Sequence, residues 1–210
     1  MTATDTTTEE ALRVRIRDAA IDQIGRHGFR TPVRTIAGAA GVPPDVLLDL
    51  YGSKQKLVSA CDEYIAETVR TMKSDALQST SPELWFAALD DIGSFAPMMA
   101  YLVRSLDEGG SLGRSMLDRM IENAIGYLEA GVRAGTLKPS RDPRARATFL
   151  ALNNAGGFLL YLRRHATPKD MAAVLRDYAN DMIMPALEIY THGLLADTSM
   201  ITAFDARMNG

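Results

Sequence analysis

Clustered metal ligands, paired thiols and a phosphate-cradling glycine loop are all missing from this chain, and each gap removes a class of function. One cysteine, Cys61, among 210 residues excludes an internal disulfide. Within a helical pattern it reads as a structural thiol, buried or half-buried, rather than a redox switch. The three histidines, His27, His165 and His192, lack metal-ligand spacing, and Cys61 has no histidine partner in the pattern. These gaps argue against an enzyme, and no metal or cofactor is expected. A basic excess is missing too: Lys+Arg 23 stand against Asp+Glu 26, a net charge of -3, unlike a simple electrostatic nucleic-acid binder. No apolar run approaches the roughly 18 residues of a membrane span. The opening MTATDTTTEE lacks the apolar core of a signal peptide. A cytoplasmic protein without a membrane partner is expected. Strand-type alternation is absent as well, so the expected fold is all-α.

What the chain does hold is 47% hydrophobic residues, enough for a sizeable core, and an uneven charge. From Ala11 to Lys56 there are 8 Lys+Arg against 4 Asp+Glu, and the remainder holds 15 against 22. A mildly basic head on an acidic body suits a small DNA-binding module joined to a domain with another task. Residues 1–8 are Thr-rich and read as a disordered tail. Helical spacing then runs from about Glu9 to His27, where Gly28 ends it. Arg13, Arg15 and Arg17 lie on its first turns, as a solvated face or as phosphate contacts. Thr31-Pro32 reads as a cap and first helical residue for a short helix with Val33, Ile36, Ala37 and Ala40 inward. Gly41 supplies a tight turn. A second short helix follows from Pro44 to about Tyr51, and Gly52-Ser53-Lys54 opens a long third one to about Gln78. Two short helices about a glycine turn are how a chain presents a helix to the DNA major groove.

The framework Ala19-Ala20, Gly28-Phe29, Ile36-Ala37, Gly41-Val42 and Tyr51-Gly52-Ser53-Lys54 resembles the TetR (TetR/AcrR-type) family of bacterial regulators. SACDEYI and AGVRAGTLKPSRDPRARA are similar to actinobacterial members. The resemblance implies a three-helix helix-turn-helix head over residues 9–56, a linking helix at about 54–78, and a helical ligand-binding and dimerisation body over 57–210. It further implies a homodimer on double-stranded, palindromic operator DNA, released by a small-molecule effector, often with control of an efflux or metabolic gene. Carried over by position, Thr31, Arg34, Thr35, Pro43, Asp45, Val46, Leu48, Asp49, Leu50 and Lys54 stand where the family faces DNA, Lys54 as the phosphate contact. The chain departs from that pattern at its tip. Pro43 replaces a hydroxyl residue, Asp45 a small residue, and Leu48 and Leu50 replace residues able to hydrogen-bond. Two readings follow: a head that grips DNA from around the recognition helix, or a helical ligand-binding dimer with weak or lost DNA binding.

In the body, the 11 methionines and the aromatics suggest an adaptable apolar cavity. Its expected lining is Trp85, Phe95, Met98, Met99, Met120, Asn123, Tyr127, Asn154 and Phe158, with a hydrophobic effector. FLALNNAGGFLLYL is apolar on nearly every face and so expects cover on all sides. With Ile183, Met184, Leu187 and Ile189 it reads as a subunit interface formed by two long helices, about 144–165 and 169–195. Asn153 and Asn154 within it call for hydrogen-bond partners.

Overall fold

The computed structural model describes residues 3–79 and 81–209. Among them the chain forms ten α-helices and no strand. Helix α1 (Ala3–His27) starts well before the expected Glu9, so the anticipated tail is helical from Ala3; Met1 and Thr2 lie outside the described residues. Its inward row is Ile16, Ala20 and Ile24, spaced by four as one helical face requires. Gly28 ends it at φ 82°, a conformation that a side chain resists. Helix α2 (Val33–Ala39) buries Ile36 and Ala37, and α3 (Pro44–Tyr51) buries Leu47. Between them Gly41, at φ 65°, lets the Val42 N–H reach back to the Ala37 carbonyl at 3.0 Å. This is the glycine-ended helix closure that the sequence signals.

Helix α4 (Lys54–Gln78) opens on Ser53, whose hydroxyl accepts the Lys56 N–H at 3.2 Å. Its inward row Leu57, Cys61 and Ile65 meets α1. Cys61 is fully buried and burial pushes its thiol up to about 12, so it is an inert structural group. Beyond Pro82 two helices follow: α5 (Pro82–Asp90), then a 3-10 turn (Ile92–Phe95) that leads into α6 (Ala96–Glu108). Helix α7 (Gly110–Ala134) closes at Gly135 in the left-handed conformation. Asp142 caps α8 (Pro143–Arg164), accepting the Ala145 N–H at 2.9 Å. Asp170 caps α9 (Met171–His192), accepting from Ala173 at 3.0 Å. The chain then forms a helix outside the sequence reading, α10 (Ser199–Asn209). No single helix among the described residues is long and apolar enough to cross a membrane.

Three buried clusters organise these helices. The largest joins α1 to α4 with Tyr101 and Leu102 of α6 and Met116 of α7. The core therefore runs straight through position 56/57, where the sequence suggests a domain division. A second cluster ties Val103 of α6 and Phe158 of α8 to Val174 and Leu175 of α9. A third gathers Ala124 and Leu128 of α7 with Ala147 of α8. Helix α8 is not covered all round within one subunit: only Ala147, Ala151 and Phe158 are buried, and Phe149, Leu152 and Leu160 are exposed.

Candidate nucleic-acid interface and its connection to the body

Helix α3 is held by one face and free on the other. Leu47 is fully buried while Asp45, Leu48 and Asp49 are exposed, Leu48 at 41%. Arg13 holds the far end of α3, donating to the Leu50 carbonyl at 2.7 Å, and the Tyr51 hydroxyl donates to the Arg13 carbonyl at 2.8 Å. Arg17 lies 3.4 Å from the centre of the Tyr64 ring. These two arginines thus serve the head's own framework, and of Arg13, Arg15 and Arg17 only Arg15 is exposed. Leu50 is half-buried against the core, so it is a framework residue rather than a DNA-facing one.

The start of α3 is a poor anion site. Pro43 and Pro44 bring no N–H, and the Val46 N–H is taken by the Asp45 carboxylate at 3.0 Å. Half-buried Val46 therefore has little to offer a phosphate. Helices α2 and α4 are better placed: the Thr35 and Lys56 N–H groups go to the Pro32 carbonyl and the Ser53 hydroxyl, and those of Val33, Arg34, Lys54 and Gln55 lie outside the helical ladder. Arg34 and Thr35 on α2 and Lys56 on α4 are exposed beside them. Lys54 is half-buried and its ammonium donates to the Phe29 carbonyl at 2.5 Å. One of its three donors is therefore engaged in holding the α1–α2 connection, and the others remain for a phosphate.

Thr31, expected at a cap facing DNA, is turned inward. It is 4% exposed and its hydroxyl donates to the Gly28 carbonyl at 2.7 Å, so it seals the α1–α2 turn and does not reach outward. The N-cap of α2 is Pro32, which offers no side-chain bond.

Behind the head, α1 lies directly on α6. A side chain at Gly25 would come within 3.0 Å of the Tyr101 backbone nitrogen and of Ala100 Cβ. Arg104 donates to the Gly25 and Arg26 carbonyls, both at 3.3 Å, engaging the end of α1 from the body side. Tyr101 is fully buried, its ring 5.3 Å from that of Phe29 and edge-on to it. Its hydroxyl donates to the Asp62 carboxylate at 2.8 Å. A chain of direct contacts therefore runs from α6 through Tyr101 and Phe29 to Lys54. No sequence signal marks Tyr101 or Arg104, since an aromatic and a basic residue on an amphipathic helix are ordinary. Gly25, one turn before Gly28 inside a helical pattern, is the one hint of a close approach.

Burial holds the Asp62 carboxyl above the usual carboxylate range, against the hydrogen bond from Tyr101 and the field of Arg119. A raised carboxylate pKa costs stability as pH rises from the unfolded-state value through the folded one. Asp62→Asn keeps an acceptor for Tyr101 and removes the charge. Urea titrations across acid to neutral pH should show the difference between variant and wild type moving in the variant's favour as pH rises. A less stable variant with the wild-type pH profile would refute this account.

The residues expected to line an apolar cavity do not converge on one. Met98 and Met120 pack on the head-side core, Phe95 and Phe158 belong with the α6–α8–α9 cluster, and Tyr127 belongs with the third. Met99 touches the first two clusters and marks their seam. Trp85 is 40% exposed on α5, where its ring N–H donates to the Ala76 carbonyl at 3.2 Å. Asn123 ties α7 to α4, donating to the Ala66 carbonyl at 2.8 Å. Asn153 and Asn154 are exposed on α8. The reason is geometric: methionines and aromatics reveal apolar burial but not which of three clusters receives them. A cleft of about 480 Å³ between α4 and α7 has the charged side chains of Arg114, Asp118, Arg119 and Glu122 on its walls.

Residues 16–61 match the family model described as bacterial regulatory proteins, tetR family, and residues 93–196 match the tetracyclin repressor-like C-terminal domain. The chain is 56% identical over 190 residues to the HTH-type transcriptional regulatory protein RaaS of Mycobacterium tuberculosis, covering 90% of each. The chain belongs to the TetR family of bacterial transcriptional regulators. The fold is also that of a putative TetR-family regulator from Rhodococcus sp. (TM-score 0.54, 21% identity, 82% of this chain and 98% of that one). A TetR regulator from Chloroflexus aurantiacus is similar (TM-score 0.52, 20% identity, 83% and 96%). In this TetR-family member the matched head stretch, 16–61, spans α2, α3 and the start of α4, and the matched body stretch takes in α6 to α9.

Proposed function

We propose that this regulator is a repressor that binds a palindromic operator as a homodimer and is released by a hydrophobic small molecule. The observation that carries the reading is the outer face of α3, left open by a head whose own contacts are complete. Arg34, Lys54, Lys56 and the first N–H groups of α2 and α4 supply phosphate contacts around it. Leu48 offers an apolar contact to a thymine methyl, and Asp45 and Asp49 can accept only from a cytosine amine or a water. The dimer contact is assigned to the exposed apolar residues of α8 and α9, including Phe149, Leu160, Met184 and Leu187.

Asp45 and Asp49 on the exposed face support a second reading, in which the head persists as a scaffold with little affinity for DNA. Fluorescence anisotropy with fragments of the promoter beside its own gene separates the two. Saturable, sequence-dependent binding at low salt supports the repressor, and its absence on every such fragment supports the scaffold. Lys54→Ala should weaken binding to all sequences alike and reduce the salt slope by about one unit. An unchanged slope would show that Lys54 meets no phosphate.

A further inference from the structure

None of the residues that line the charged cleft between α4 and α7 belongs to the three apolar clusters. One face of α7 forms most of it: Ser111, Ser115, Asp118 and Glu122 recur there at helical spacing, with Arg114 and Arg119 on either flank. On the α4 side it is lined by Ala66, whose methyl leaves the space open. Helices α4 and α7 are the most extensively packed pair in the chain. Asn123 fastens them, donating to the Ala66 carbonyl at 2.8 Å, so the walls of the cleft are held in place.

The charges of the cleft do not neutralise one another. Arg114 stands four residues before Asp118 and Arg119 three before Glu122, spacings at which opposite charges meet on a helix. Neither pair forms among the described residues, and Glu122 turns instead to Arg144 at 2.7 Å. Arg119 acts on Asp62 of α4, whose carboxyl burial raises and the Tyr101 bond and the Arg119 charge draw down. The groups left facing the cleft are two guanidinium forks, two serine hydroxyls, the Asp118 carboxylate and the Asn123 side-chain oxygen. A guanidinium fork matches a carboxylate or a phosphate. The two acceptors call for hydroxyl donors on the same molecule. An inorganic anion would leave the acceptors idle, and a neutral sugar would leave the arginines idle. The volume, about 480 Å³, lies within the roughly 300–1,000 Å³ of small-molecule sites.

We propose that the α4–α7 cleft binds a small hydroxylated organic anion, a sugar phosphate or a sugar acid, with Arg114 and Arg119 on the anionic group and Asp118 on the hydroxyls. The site is separate from the hydrophobic effector and from operator binding, so its test stands without either. Isothermal titration of the full-length protein with glucose 6-phosphate, gluconate, glucose and inorganic phosphate reads it directly. Glucose 6-phosphate or gluconate should bind about tenfold or more tightly than glucose and inorganic phosphate, because each charge-assisted bond adds on the order of a tenfold gain. Whichever of the two binds identifies the anionic group. Arg114→Gln should weaken that binding about tenfold, and Asp118→Asn should shrink the preference over inorganic phosphate. Both side chains are exposed, so circular dichroism and the unliganded thermal midpoint should stay at wild type. Equal binding of inorganic phosphate and the hydroxylated anions would mark an adventitious ion only and overturn the proposal. So would the failure of both hydroxylated anions to bind, or binding that survives Arg114→Gln/Arg119→Gln unchanged.

Discussion

Tyr101→Ala should lower the unfolding free energy by about 3–5 kcal/mol, the range for emptying a buried aromatic site. Tyr101 is among the largest fully buried side chains, and it sits where α1, α4 and α6 meet. Its removal opens a cavity beside Phe29 and leaves the Asp62 carboxylate without its donor. Leaving such a group unsatisfied adds about 1–3 kcal/mol where no water reaches it. Tyr101→Phe separates the contributions, since it keeps the ring and removes only the hydroxyl; a loss of about 1 kcal/mol is expected. Denaturant unfolding measures both. A loss below about 1 kcal/mol for Tyr101→Ala would mean that the head does not depend on α6 for its core.

Gly25→Leu should be nearly as damaging, at about 3 kcal/mol, the upper part of the usual range for overpacking. The added Cβ meets the Tyr101 nitrogen at 3.0 Å and the Pro97 carbonyl oxygen at 3.2 Å, and neither backbone atom can swing aside as a side-chain end could. Helix α1 must lift from α6, which also breaks the two bonds from Arg104. The functional expectation follows from the same contact. A head that no longer rests on α6 should unfold separately, giving two denaturation transitions where the wild type gives one. A single transition with wild-type midpoint would show that α1 and α6 have room to spare.

The two variants bear on the seam between head and body, which is where the sequence is least informative. The head itself is readable residue by residue. Gly28 and Gly41 stand where a left-handed turn is required, and Ile16, Ala20, Ile24, Ile36, Ala37 and Leu47 keep helical spacing. Local rules decide these positions, so a linear pattern suffices. Thr31 shows the limit of such rules. A hydroxyl residue before Pro32 looks like a cap, yet its partner is the carbonyl of Gly28, set by the tightness of the turn. Lys54 is similar: its position signals a phosphate contact, while its hydrogen bond to Phe29 depends on α1 and α4 lying side by side.

The apolar body reverses that balance. Its helices are visible in the periodicity, but Phe95, Met98, Met120, Tyr127 and Phe158 are distributed over three clusters and Trp85 lies outside them. Helix α10 carries its own signal in the sequence: Met200, Ile201, Phe204 and Met208 keep helical spacing within TSMITAFDARMN. Periodicity, glycine turns and proline placement are properties of neighbouring residues, and they suffice for an all-α chain with a helix-turn-helix head and for its membership of the TetR family. Which arginine serves the framework and which faces outward, and where Tyr101 and Gly25 join head to body, depend on residues far apart in the chain. Those pairings exist only once the helices have met, because hydrogen bonding and close approach act at a few ångströms and carry no trace in sequence spacing.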